Sequence, residues 1–493
     1  MPVLVSDEAS SPGRSGFRGR KRWLLVAGLF FMAAAAAGLS YYLMVSSEER
    51  LQEALAEADR TDPGWHILEL EAARRTIPDE QNSAIHVANA KAALPPQWPF
   101  WEIRTAAGAQ GRSPEECSDL RESLANLDPP VMLDERQVAA LRQERERARP
   151  SLVELYKIKD LPRGRFPISY TKDFIGTALP HTQDTRSVAN LLMVDAWLRA
   201  HDQDLEGALL ACRCLIQAQR AIGDEPTAVS MLVRIAIRRM AVKEIERILA
   251  QGQPLEESLA GLQQLLEEEL AEPLFLNAAR GERGGIDRLM EAIQAGEIKS
   301  SWNFPQMLAP PGEQPSVLQS LRFRFAPGSI KSERAALLRF NNQIVEFAKL
   351  PMEEQTRRMG ELNLDPKDLP AIARSLAMFW PKLIRSFHCD QATLRSGILL
   401  LAAERYRRAQ HRWPHRLDDL APGYLAKVPI DPFAGQPMCL GRLDGGLVIY
   451  SVGLDGQDNG GNLAEEDFMK PGTDWGHRLW DLEKRRQPAP RRP

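Results

Sequence analysis

From Trp23 to Val45 the chain runs 23 residues without a charge, WLLVAGLFFMAAAAAGLSYYLMV. At about 1.5 Å of rise per residue, one helix of that length crosses the roughly 30 Å hydrocarbon core of a bilayer. Arg14, Arg18, Arg20, Lys21 and Arg22 precede the run against Asp7 and Glu8, and Glu48 and Glu49 follow it. That excess of cations places the N-terminus in the cytoplasm and sends the rest of the chain outside. Ala33 to Ala37 offers the small residues a signal peptidase needs. The run nevertheless exceeds the roughly 7 to 15 residues of a signal h-region, and Tyr41 and Tyr42 stand where interfacial anchors do. An uncleaved anchor is favoured over a cleaved signal, and the body is exported in either case.

Beyond the span the apolar residues recur at helical spacing. Glu48 to Arg60 is rich in Ala and Glu and is predicted to extend the membrane helix as a short solvated stalk, broken at Thr61-Asp62-Pro63-Gly64. Helices are predicted over Glu80 to Ala93, Glu135 to Arg149 and Ser151 to Ile158, the last two separated by Pro150. The aromatic cluster Gln97 to Trp101 packs under a loop, and Pro162 to Thr185 reads as irregular. Leu191 and Leu198, then Leu205, Leu209, Cys212 and Ile216, keep a 3.6-residue rhythm on two helices joined at His201 to Asp204. The pattern continues through Ala228 to Ala250, with Leu232, Ala236, Met240 and Ile248 near one face, and through Leu255 to Leu270. Ser301 to Gly328 holds five prolines and reads as a linker or long loop, with further helices over Lys331 to Leu350 and Asp365 to Trp380. No repeat of fixed length recurs, so an irregular stack of α-hairpins is expected rather than a regular solenoid.

The rhythm changes near Asp390. A helix from Ala392 to Gln410 is followed by an extended, proline-fixed segment, Val428 to Phe433, and by two candidate strands, Pro437 to Arg442 and Leu447 to Ser451, about the turn Asp444-Gly445-Gly446. The strings YRRAQHRWPHRLDDL, YLAKVPIDPFAGQPM and GGLVIYSVGLDGQDNGG, in that order, resemble the C-terminal part of the major pseudopilin of type II secretion systems. The whole chain also resembles bacterial membrane-anchored proteins that carry such a module behind a helical region. The resemblance covers Ala392 to about Asp467 and implies a long helix packed on a small antiparallel sheet, with a final Asp- and Gly-rich loop that can hold a calcium ion. It does not extend to the anchor: Gly16-Phe17 is followed by Lys21 where a pseudopilin has Glu, and over three hundred residues separate the membrane helix from the pilin-like one.

Asp455, Asp458, Asn459 and Asp467 are the candidate calcium ligands, offering hard oxygen donors among glycines that let carbonyls turn inward. A polar Asp/Gly turn without an ion is the plainer alternative. Read as an EF-hand from Asp455, the third place falls on Gln457, a poor ligand, and Pro471 crowds the exiting helix.

Composition narrows the chemistry. The formal net charge of −3 implies no strong electrostatic partner, and the basic stretch Arg142 to Arg149 is interleaved with Glu144 and Glu146, so no nucleic-acid surface is expected. Five cysteines are too few for disulfides to carry an exported fold of 493 residues. HExxH, GxSxG, GxxxxGK[ST] and a strand-following GxGxxG are all missing from the sequence. His388-Cys389-Asp390 invites a nucleophile story, but neighbours on a helix point different ways.

The expected architecture is mainly α: a cytoplasmic basic tail (1–22), a transmembrane helix (23–45) and an exported helical body (46–386), irregular near 301–328. A pseudopilin-like α+β module (387–470) with a short antiparallel sheet and a flexible basic, Pro-rich tail (471–493) complete it. The expected function is a membrane-tethered, non-enzymatic envelope protein. Its partners would be the bilayer, through Trp23 to Val45, and envelope proteins, with calcium as the candidate cofactor and no small-molecule substrate. The alternatives are an enzyme with an active site assembled in the helical body, or a helical scaffold that binds peptide.

Overall fold

The computed structural model describes residues 16–102, 113–298, 327–359, 365–463 and 471–489. Its first helix, α1 (Gly16–Thr61), is continuous from the basic flank through the apolar span and onward. Val26 to Thr61 contains a window apolar enough to cross a membrane, with its side chains facing outward. Exposure is 76% at Phe30 and Phe31, 52% at Leu43 and 38% at Val45, and then drops to 3% at Ser47. The residues expected to form a solvated stalk are instead part of the body: Leu51, Ala54 and Ala58 are buried, the last two in a small core with Trp65 and Leu338. Small Ala side chains allow that close helix approach.

Six helices follow: α2 (Ile67–Ala73), α3 (Ser83–Ala93), α4 (Pro114–Ala125), α5 (Glu135–Arg147), α6 (Arg149–Leu155) and α7 (Pro180–His201). Ser113 and Glu116 cap α4, and Asp134 and Gln137 cap α5, each pair forming a reciprocal capping box. Helix α7 begins six residues earlier than the Pro- and Thr-rich composition suggested, because Pro180 occupies a first-turn position where no N–H is needed. Phe100 and Trp101 sit with Leu120, Leu141 and Leu198 in a second apolar core beneath α4 and α5.

The centre of the body is α8 (Leu205–Arg220), α9 (Ala228–Gln251), α10 (Glu256–Leu270) and α11 (Leu274–Gln294). Helix α9 packs against α7, α8 and α11. Its face differs from expectation. Leu232 is 38% exposed, Ala236 is exposed and Met240 half-buried, and only Ile248 of that set is buried. A helix enclosed on several sides hides Met231, Ile235 and Ile245 and, between them, the guanidinium groups of Arg234 and Arg238, which a one-faced apolar pattern cannot register.

Helix α12 (Pro327–Ala348), α13 (Met352–Arg358), α14 (Ala371–Ala377) and α15 (Trp380–Gln410) complete the helical set among the described residues. Of the proline-rich stretch Ser301 to Gly328, only Pro327 and Gly328 are described, and they open α12. Helix α15 starts twelve residues before the expected Ala392, with Pro381 in its first turn, and ends where His411 turns into the left-handed region, φ 55°. The boundary drawn at 386/387 therefore falls inside one helix. Strands β1 (Cys439–Leu443), β2 (Gly446–Ser451) and β3 (Trp475–Trp480) form an antiparallel sheet in the order β1-β2-β3, with Leu443 opposite Gly446 and Val448 opposite Arg478. The two-residue turn Asp444-Gly445 joins β1 to β2, Gly445 supplying the positive φ of 86° that such a hairpin needs.

Strand β3 lies in the stretch expected to be a flexible tail. Its alternate residues His477 and Leu479 are buried, and Arg485 beyond it is buried against Glu404 at 2.8 Å. Gln487 then donates its N–H to Pro130 O at 2.7 Å, so the tail is docked as far as it is described. The sheet lies on α9 and α15, and one apolar cluster joins Ile67, Leu192, Ile248, Leu399 and Leu479.

Candidate functional site

The loop after β2 brings three of the four candidate calcium ligands together. Asp467 lies outside the described residues. Asp455 accepts N–H groups from Gln457 at 3.0 Å and Gly472 at 2.8 Å, and these donors hold its carboxyl below the usual range. Asp458 accepts the Tyr450 hydroxyl at 2.8 Å and the Gly460 N–H at 2.9 Å. Asn459 turns its amide nitrogen, not its oxygen, toward Gln457 O at 2.9 Å. The residue that sequence reasoning missed is Asp474, fully buried beneath the loop, which accepts from Asn459 N–H at 3.2 Å and Gly461 N–H at 2.8 Å. Burial raises its carboxyl above the ordinary range. A cation at Asp455, Asp458 and Asn459 would have to displace N–H donors already in place, since calcium takes six to eight oxygens. Among the described residues no three His, Cys, Asp or Glu side chains converge on a metal-sized site.

A comparable aspartate fastens the segment before β1. Asp431 accepts from Phe433 N–H and Val452 N–H, both at 2.8 Å, and from the Ser451 hydroxyl at 2.7 Å, pinning the Pro-fixed strand to the end of β2.

The densest charge lies deeper, where α15 enters the body. Glu269 on α10 is fully buried and faces three guanidinium groups: Arg220 on α8 and Arg234 and Arg238 on α9. Arg238 also reaches Asp390 on α15 at 2.9 Å, and Gln219 donates to Glu269 at 2.7 Å. Burial alone would lift the Glu269 carboxyl, but Arg238, Arg234 and Arg220 hold it at about 2. Asp390, bonded to Arg238 and only weakly helped by Arg239, is left above its ordinary value because its burial outweighs those cations. The cluster ties four helices together and is sealed from solvent, so it orders the core without offering a surface to a substrate.

His388 and Cys389, beside it, are also sealed. Burial pushes the Cys389 thiol up to about 12 and the His388 imidazole down to about 4, and His388 is held by Ile384 O at 2.9 Å. That leaves an inert thiol and a neutral ring, not an activated nucleophile. All five cysteines are free.

A third polar group joins α7 to α9. His181 lies 2.8 Å from Glu225, which also accepts the Ser230 hydroxyl at 2.5 Å. Nucleophilic catalysis needs the imidazole between hydroxyl and carboxylate. Here the carboxylate stands between the other two, and Thr227 and Ser230 belong to the cap of α9. Nearby, a recess of about 390 Å³ is lined by Glu71, Asn82, Arg165 and Ile168. Arg165 spends its donors on Glu71 and on the carbonyls of Glu71 and Arg74, and Asn82 caps α3 while bonding Arg165. A second recess of about 420 Å³, lined by Asp119, Glu122, Asp128 and Asp134, is open and acidic.

Compared with known proteins, the chain matches no protein-family model, no curated sequence and no solved structure.

Proposed function

We propose that this is a single-pass membrane protein that presents a rigid helical body outside the cytoplasm, with the edges of the β1–β3 sheet offered to protein partners. The observation that carries the reading is the division of α1: its apolar half is exposed on all sides, while its polar half is built into the body. An exposed run of Leu, Phe and Met side chains is unfavourable in water by roughly 25 cal/mol per Å², and a bilayer removes that burden. The interfacial positions Trp23, Tyr41 and Tyr42 are 77%, 71% and 67% exposed, as aromatic belts require. The flanking charges set the N-terminus inside. A non-enzymatic role is supported by the closure of the polar groups: the Glu269, His388 and His181 clusters are all buried, and the side chains of the Glu71–Arg165 recess bond one another.

Extraction of membranes with alkaline carbonate tests the anchor. The full chain is expected to stay in the pellet and a chain lacking residues 1–45 to be soluble; a full chain released by carbonate would overturn the reading. Labelling of a thiol placed at the exposed Val153 in intact cells tests the sidedness, and protection from an impermeant reagent would reverse the proposed orientation.

A further inference from the structure

Four ion pairs and two hydrogen bonds fix how the body stands on α1 and the residue after it. Lys331 pairs with Glu48, Arg339 with Glu53 at 2.6 Å, and Asn342 donates to Ala54 O at 3.4 Å. Lys349 donates to Thr61 O at 2.9 Å, and Asp62 is paired with Arg280 and Arg283 of α11. Residue numbers rise together along α1 and α12, so the two helices run parallel, away from the apolar span. Arg283 lies by Asn342 at 3.4 Å, while Arg334 bonds Asp287 at 2.7 Å and lies 3.9 Å from Glu291. Helix α11 is therefore antiparallel to α12 and runs back toward the span.

The distances along α1 then place this end of the body. The last apolar residue of the span is Val45, and Glu48 is three residues on, about 4.5 Å along a helix axis. The headgroup layer on each side of a bilayer is roughly 5–7 Å thick. Glu48 and its partner Lys331 fall within that layer. The first turn of α12, Pro327 to Ile330, is one turn nearer the hydrocarbon and reaches its boundary, and the C-terminal turn of α11 ends level with it. Ser47, 3% exposed while Glu49 and Arg50 face outward, shows that protein already covers one side of α1 two residues past the span.

We infer that the end of the body formed by the C-terminal turn of α11 and the N-terminal turn of α12 lies against the bilayer surface, in the headgroup layer. The partner is the lipid surface itself, not a particular lipid: Lys331 is paired with Glu48, and Lys172 with Glu297 at 2.8 Å, so the described residues of this end carry little free positive charge. Zwitterionic and anionic membranes should serve alike. The inference rests on α1 being the membrane anchor, and it adds that no free tether separates anchor from body. The surface available to other proteins is then the sides and the far end, where Glu346 and Lys349 lie.

The test uses the full chain with Cys439→Ser, the other four cysteines being buried. Single thiols for a fluorescent probe are placed by Ser332→Cys at the near end of α12, Glu346→Cys at its far end and Leu39→Cys in the span. The labelled proteins are reconstituted in phosphatidylcholine vesicles carrying a quencher at the headgroup or in mid-chain. Ser332 and Glu346 are separated by about 21 Å of helix. The headgroup quencher is expected to quench the S332C probe several-fold more than the E346C probe, and the mid-chain quencher to quench L39C. Equal, weak quenching of S332C and E346C with L39C quenched would overturn the inference and leave the anchor standing. An unquenched L39C would overturn both.

Discussion

Changing Glu269 to Gln removes one negative charge from the centre of the body and keeps its shape. Arg238 and Glu269 are fully buried, and arginine cannot neutralise itself by losing a proton. Breaking a buried ion pair from one side costs about 3–5 kcal/mol. The displacement of the Glu269 carboxyl from 4.5 to about 2 gives a similar figure, about 3 kcal/mol at about 1.4 per pH unit. Because this carboxyl is depressed in the folded state, its contribution is fully present above pH 4.5 and fades as the pH falls toward 2. Against a total stability of about 5–15 kcal/mol, the loss is large. Arg238→Met perturbs the same cluster from the other side and should behave differently. Glu269 keeps Arg220 and Arg234, and the stranded Asp390 can take up a proton. Neutralising a carboxyl whose ordinary value is 3.8 costs at most about 4 kcal/mol at pH 7 and about 1.6 at pH 5. The assay is denaturant unfolding of the full chain in detergent micelles, followed by tryptophan fluorescence at both pH values. E269Q should lose its stability at pH 7 and pH 5 alike, and R238M should recover up to about 3 kcal/mol at the lower pH. An E269Q protein within about 1 kcal/mol of the parent, or an R238M deficit independent of pH, would refute the reasoning.

Three other outcomes are expected. Arg485→Gln unpins the C-terminal stretch from Glu404, so limited trypsin digestion read by mass spectrometry should cut within 478–486 at least tenfold faster, while cleavage elsewhere is unchanged. Asp455 and Asp458 already hold N–H and O–H donors, so the melting temperature of the full chain should be indifferent to calcium and to chelator; a rise with calcium that Asp455→Ala removes would show that the loop reopens around the ion. Burial drives the His477 imidazole from 6.5 down to about 3, so its ring should stay neutral by NMR at pH 5. The unfolded chain takes up that proton first. Stability therefore falls by about 1.4 kcal/mol per pH unit below 6.5 on account of this ring, a share of the slope that His477→Gln should remove while His388 keeps its own.

What could be read from the chain followed the physics of each element. A charge-free run of membrane length and a 3.6-residue rhythm are local signals, so α1, the α7–α8 hairpin and the limits of α9 and α10 were legible, as was the β1–β2 hairpin with its Asp-Gly turn. The inward face of α9 was not. Arg238 is buried only because Glu269 and Asp390, 31 and 152 residues further on, arrive to pair with it, and Arg234 shares Glu269. Strand β3 was hidden by its company: Trp475, His477 and Leu479 do alternate toward the core, but the stretch sits among arginines and prolines that suggest a loose tail. Asp474 was missed for a similar reason, since its role as the loop's internal acceptor depends on backbone N–H groups from Asn459 and Gly461.

With α1 anchored as proposed, the helix passes without a break from its apolar span into the body, so the two are geared to each other. Each residue of an α-helix turns the chain by about 100°, so the azimuth of every surface on the body is locked to the azimuth of the span. One alanine added between Val45 and Ser46 would swing the whole body through that angle about the membrane normal while lifting it by only about 1.5 Å. A partner that touches both the span and the body must match a single phase, and a tilt or rotation of the span in the bilayer is passed to the sheet and α15 at full amplitude.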